Sequence, residues 1–147
     1  MNDILIVLVL SLMGIQFGVA LTASVIIHPI LVKVEKTVAI EIFKPFFDKT
    51  HILVLILSIF ITILALVYSI FTGNLWWVGV SLLLHLNGPY TLLFMMPINK
   101  RLMDKNVDPG SEKTAEDLKK WGKLHLVRTV LNGIIFLAFV ILTVYNF

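Results

Sequence analysis

The chain contains no cysteine. That excludes a disulfide framework, a thiolate metal site and a cysteine nucleophile. It is also poor in charge, with 14% Asp, Glu, Lys and Arg against 59% hydrophobic residues. A water-soluble domain carries about a quarter charged residues, so this composition indicates a membrane protein. Acid is missing where the chain is most apolar. The nine Asp and Glu are Asp3 and residues lying between the apolar runs. The pI near 9.3 invites a nucleic-acid reading. The basic residues argue against it, because they sit in loops and mix with acids, so no nucleic-acid partner is expected.

What is present is four apolar runs, roughly residues 4–27, 52–71, 75–96 and 124–145. Each reaches or passes the roughly 20 residues that a helix needs to cross about 30 Å of hydrocarbon. In lipid a helix satisfies its own backbone hydrogen bonds. A transmembrane barrel needs alternating strands of roughly ten residues, and none is visible. The expected fold is therefore all-α: an integral membrane, up-down bundle of four transmembrane helices, forming a single domain over residues 1–147. The opening MNDILIV lacks the positive segment of a signal peptide, so it reads as a retained first helix.

Charge sets the expected topology. Lys33, Lys36, Lys44 and Lys49 lie between spans 1 and 2. Lys100, Arg101, Lys105, Lys113, Lys119, Lys120 and Lys123 lie between spans 3 and 4. The turn between spans 2 and 3 carries no Lys or Arg. The positive-inside rule puts both long loops in the cytoplasm and both termini outside. The expected location is the plasma (inner) membrane.

Local signals refine this picture. Gly14 and Gly18 in GIQFG have the spacing that lets helices approach closely; a homo-oligomer through this motif stays open. Pro29 should end or kink the first helix. Residues 39–51 mix Phe43, Phe46 and Phe47 with Lys44, Lys49, Glu41 and Asp48. They read as an amphipathic stretch at the cytoplasmic interface, an anchor or a lid over a cavity. TGNLWW is a tight turn, with Trp76 and Trp77 as outer interface anchors. Ser111 is a candidate N-cap for a fourth helix that extends beyond its span.

Two places carry polar groups into apolar runs. HLNGPYT brings His85, Asn87, Pro89 and Thr91; WGKLHLVRTVLN brings Trp121, His125, Arg128 and Asn132. At 1.5 Å per helical residue, these groups gather in the cytoplasmic half, with His28 and Ser24 of span 1 and Asn99 near the end of span 3. Trp121, His125, Arg128 and Asn132 share one stripe of span 4. The Gly88-Pro89 step should bend span 3 so that it lines a polar pocket.

Arg128 has no intramembrane carboxylate in its own chain. It is either a site for a non-protein anion or a side chain that snorkels to lipid headgroups. His85 and His125 are each either structural or catalytic. A metal site from His28, His85 and His125 suits imidazole chemistry, but no HxxxH or HxxE pair supports it, and no metal ligand is assigned.

MMPINKRL (residues 95–102) followed by WGKLHLVR (residues 121–128) resembles the anthrone oxygenase-like family of small four-span membrane proteins. Its Pro-x-Asn-x-x-Leu element is matched by Pro97, Asn99 and Leu102. Its Trp-x-x-x-His-x-x-Arg element is matched by Trp121, His125 and Arg128. The resemblance extends over essentially the whole chain. It implies oxidation of an anthrone- or quinol-like aromatic by O2 with no metal or flavin cofactor. On that reading His125 is the base that takes the substrate's acidified C–H proton. Arg128 stabilises the resulting enolate, with Asn99 or Asn87 donating a hydrogen bond. Trp121 stacks on the ring system, and His28, His85, Thr91 and Asn132 complete the binding pocket. Two other readings use the same residues. One is a protein that binds or transports an amphipathic anion or a lipid without chemistry. The other is a structural or interaction protein whose polar stripe holds the bundle together.

Overall fold

A computed structural model of the chain describes residues 2–145 and is all-α, with no strand among them. Four long helices follow one another: α1 (Asn2–Lys33), α2 (Lys36–Thr72), α3 (Trp76–Met103) and α4 (Glu112–Tyr145). All four are long and apolar enough to cross a membrane. α1 packs on α2 and α4, and α3 packs on the same two helices. The result is the expected up-down bundle. Its outer surface is Leu, Ile, Val and Phe on every helix, as at Ile63, Leu93 and Leu137, which is the surface that hydrocarbon solvates.

Pro29 neither ends α1 nor stops it short of Lys33. Instead the helix widens just before it into a π turn, Ala23–Ile27, in which the His28 N–H reaches back to the Ala23 carbonyl. Proline lacks an N–H, and its ring crowds the carbonyl four residues back. In hydrocarbon every freed backbone group needs a partner, so widening costs less than stopping. Pro97 repeats the device: a π turn, Thr91–Met95, precedes it, and Met96 N–H bonds Thr91 O. Before Pro89 the chain tightens into a 3-10 turn, Leu83–Leu86. α3 is thus wound unevenly without breaking.

Residues 39–51 form the first turns of α2, which runs unbroken through Pro45. Phe43 is fully buried there. One further expectation is corrected: Trp77 is not an interface anchor. It is buried against Tyr68 and Phe139, with ring centroids at 4.4 and 5.4 Å, while Trp76 beside it is exposed. The α2–α3 turn is closed by Gly73 at φ 73°, which a side chain would strain, and by Asn74 Oδ1 accepting from Trp76 N–H.

The core falls into two apolar clusters. One includes Val9, Met13, Ile61, Ala65, Trp77 and Phe139. The other, at the Lys-rich end, includes Ala23, Leu31, Phe43, Met95, Leu118 and Trp121. Within the first, the glycines of α1 and α4 admit each other's aromatic rings. Phe136 packs at the α-carbon of Gly14 and Phe17 at that of Gly133, and the two rings stack at 6.1 Å. Gly14 therefore serves packing inside the chain.

At the Lys-rich end, Ser111 caps α4, with Thr114 N–H donating to Ser111 Oγ at 3.1 Å. Arg101 grips Asp117 with two hydrogen bonds, Nε to Oδ2 at 2.6 Å and Nη2 to Oδ1 at 2.8 Å. This planar fork clamps the end of α3 to the start of α4.

Candidate functional site

Between the two apolar clusters lies a polar layer drawn mainly from α1, α2 and α4. Gln16, fully buried, donates from Nε2 to Ser58 Oγ at 3.0 Å and to Asn132 Oδ1 at 3.2 Å. Asn132 Nδ2 in turn donates to the Arg128 carbonyl at 2.8 Å. About one to two turns toward the Lys-rich end, Ser24 Oγ lies 3.0 Å from Nδ1 of His125 and 2.7 Å from Thr129 Oγ1. Thr129 donates to the Ala20 carbonyl at 3.0 Å. These bonds tie α1 to α4 at two successive levels.

Next comes an aromatic block. Trp121 stacks on His125 with centroids 4.8 Å apart and meets Phe43 edge-on at 5.3 Å. His28 lies 6.3 Å from Trp121 and covers the α-carbon of Gly122, where any side-chain carbon would overlap its ring. A glycine in a helix interior costs about 1 kcal/mol relative to alanine; here it makes room for an imidazole.

These groups enclose a cavity of about 30 Å³. Trp121, His125, Arg128 and Asn132 line it from α4, Phe46, Phe47, Thr50 and His51 from α2, and Ala20 and Ala23 from α1. That volume is about the share of one water molecule in the liquid. Nε2 of His125 bonds no described residue. Arg128 makes no ion pair or hydrogen bond to a described residue, and its Nε is buried. Arg128 also interacts electrostatically with Tyr90, whose hydroxyl donates to the Leu124 carbonyl at 3.0 Å and so pins α3 to α4.

The α4 stripe thus comes together around one cavity, and His28 packs on its Trp121. The α3 groups do not join them. His85 is exposed and pairs with Thr62 Oγ1 at 3.0 Å. Asn87 turns its amide to the Leu84 carbonyl at 3.0 Å. Thr91 opens the second π turn without lining the cavity. HLNGPYT therefore does not line this cavity. The 3-10 turn has fewer residues per turn than an α-helix, and it swings His85 toward α2. Asn99 is buried with both amide atoms lacking a protein partner, but it too lies off the cavity lining. Among the described residues no three His, Cys, Asp or Glu side chains gather as a metal site.

Reading the sequence missed Gln16, Ser58, Thr129 and His51. Gln16 had a signal, since a polar residue inside a span normally faces the bundle interior. Ser58 and Thr129 had none, because a lone hydroxyl can bond its own helix.

The sequence pattern of the family described as anthrone oxygenase matches residues 43–140, well over half of the chain. The chain belongs to the anthrone oxygenase family. Comparison with curated proteins and with solved structures found no match. The family match runs from Phe43 through most of α4, so it takes in the cavity walls from α2 and α4. The α1 wall, Ala20 and Ala23, lies outside it, as do Ser24 and His28 further along α1.

Proposed function

We propose that this member of the anthrone oxygenase family is a membrane enzyme that oxidises a lipophilic aromatic, anthrone- or quinol-like, with O2. The observation that carries the reading is the pairing of His125 and Arg128 on one cavity, each with its functional atoms free of protein partners. For anthrone the overall change is anthrone + O2 → anthraquinone + H2O. His125 Nε2 takes a proton from the CH2 carbon. The enolate oxygen that forms lies against the Arg128 guanidinium, which cannot itself be deprotonated. The electron-rich carbon then reduces O2, forms a C–O bond as a hydroperoxide, and loses water to give the ketone. His28, His85, Asn87, Asn99 and Thr91 do not line the cavity, and no step is assigned to them.

A cavity of about 30 Å³ does not hold a ring system. Phe46 and Phe47 are only half-buried, and their displacement opens a way in from the bilayer side of α2. In this reading the Lys-rich end faces the cytoplasm, so the site lies at the depth of the inner headgroups. That depth suits an amphiphile with a polar head and an apolar body. The unpaired Arg128 also favours a second reading, binding of an amphipathic anion without chemistry.

The test is O2 uptake by the protein in lipid nanodiscs with anthrone as substrate. Uptake that His125→Ala abolishes and Arg128→Ala lowers by about a hundredfold, the scale of losing one oxyanion donor, is the expected result. Equal uptake in wild type and both variants overturns the site.

A further inference from the structure

We propose that Ser24 and Thr129 are positioning residues that fix the tautomer of His125 and thereby select the head group the cavity accepts. The inference rests on the reading of this cavity as a ligand site, and it comes from counting hydrogens. Thr129 has one hydroxyl hydrogen. Two carbonyls compete for it, Ala20 O at 3.0 Å and His125 O at 3.3 Å, and neither can donate in return. The hydrogen is committed to them. Thr129 Oγ1, 2.7 Å from Ser24 Oγ, can then only accept, so Ser24 is the donor. Ser24 has spent its one hydrogen, and its oxygen must accept from the imidazole nitrogen 3.0 Å away. A neutral His125 therefore carries its proton on Nδ1 and a lone pair on Nε2. The opposite polarity takes the one Thr129 hydrogen away from the carbonyls, in a buried place where the lost bond costs about 1 kcal/mol.

The consequence concerns recognition. Nε2 is an acceptor, and Arg128, on the same cavity, is a donor only. A phenol or enol satisfies both: its hydrogen goes to Nε2 and its oxygen receives Arg128. A carboxylate or phosphodiester has no hydrogen for Nε2 and sets its own lone pairs against it. The relay thus discriminates by repulsion as well as by attraction. Its Ser24 half comes from α1, outside the segment shared with the family.

The experiment uses full-length protein in nanodiscs with ¹⁵N-labelled histidine, the His125 signals being identified by their loss in His125→Gln. In the wild type at neutral pH, Nε2 is expected to resonate as an unprotonated nitrogen and Nδ1 as a protonated one. Thr129→Val frees the Ser24 hydrogen for Nδ1 and should move the ring proton to Nε2; Thr129→Ser should restore the wild-type pattern. Binding of 1-naphthol and of 1-naphthoate, which share rings and differ in head group, gives the second readout. The wild type should favour naphthol, and Thr129→Val should shift the ratio by about tenfold toward naphthoate. A protonated Nε2 in the wild type, or a tautomer and ratio indifferent to Thr129→Val, overturns the proposal. A tautomer and ratio that follow Thr129 in a protein that takes up no O2 support the relay and overturn the oxygenase reading alone.

Discussion

The His28 imidazole occupies the space in which a side chain at Gly122 would begin. α1 and α4 approach this closely because one helix supplies a ring and the other supplies nothing. Gly122→Ala should therefore destabilise the bundle. The helix gains about 1 kcal/mol of propensity, but overpacking costs about 1–3 kcal/mol, and the ring has Trp121 behind it. A net loss of about 1 kcal/mol is expected in reversible unfolding from mixed micelles. Adding His28→Ala to the same chain should recover most of it; failure to recover would mean that the ring is not what the new methyl meets.

Arg101 and Asp117 offer a second test. The Asp117 side chain is 3% exposed and that of Arg101 46%, so the acid depends on the base more than the reverse. Arg101→Ala leaves a buried carboxylate with only Lys113, 3.5 Å away, to answer it. A loss of about 1–2 kcal/mol is expected, below the 3–5 kcal/mol of a fully buried pair because Arg101 is half in solvent. Limited proteolysis of the loop between α3 and α4 should accelerate. Arg101→Lys should rescue poorly, since an ammonium cannot make the two-pronged contact.

Gln16 is buried among Ser58 and Asn132. Gln16→Leu keeps the volume and deletes its bonds to Ser58 and Asn132. At about 0.6 kcal/mol for a typical interhelical bond in a membrane, the expected cost is about 1 kcal/mol. Calorimetric or spectroscopic unfolding should detect it, and Gln16→Glu should cost more, because it places a carboxylate in the apolar interior. Stability unchanged in both variants would show that the network contributes nothing.

Phe43 and Phe46 stand one helical turn apart on α2 and should behave differently. Phe43 is fully buried against Trp121, so Phe43→Ala should chiefly lower stability. Phe46 is half-buried at the cavity wall. Phe46→Ala should chiefly change the affinity for 1-naphthol, by about tenfold for some 1–2 kcal/mol of altered contact. Titration and melting curves on the same two variants separate the roles; a naphthol affinity unmoved by Phe46→Ala would place the entrance elsewhere.

How much of this was legible beforehand depends on which physics was at work. Four apolar runs of bilayer length leave little choice but helices. The stripe of Trp121, His125, Arg128 and Asn132 follows from helical spacing, because α4 is regular throughout. α3 is not regular, and there the same spacing rule misplaced His85 and Asn87. A 3-10 turn followed by a π turn changes the angle per residue twice within residues 83–95. Pro29 was expected to end or kink its helix; it does not end it, and a π turn just before it accommodates the ring. Gly122 drew no reading of its own, and nothing in the sequence could say that the ring over it was His28.

The π turn at Ala23–Ile27 amounts to one residue more than a plain α-helix would need over that length. Removing it, for instance by deleting Val25, would turn everything before it by about 100° relative to His28. Gln16 would then point away from Asn132 while His28 stayed over Gly122. α1 thus carries two angular settings against one straight partner. The residue that reconciles them is stored beside Ser24, at the level of His125.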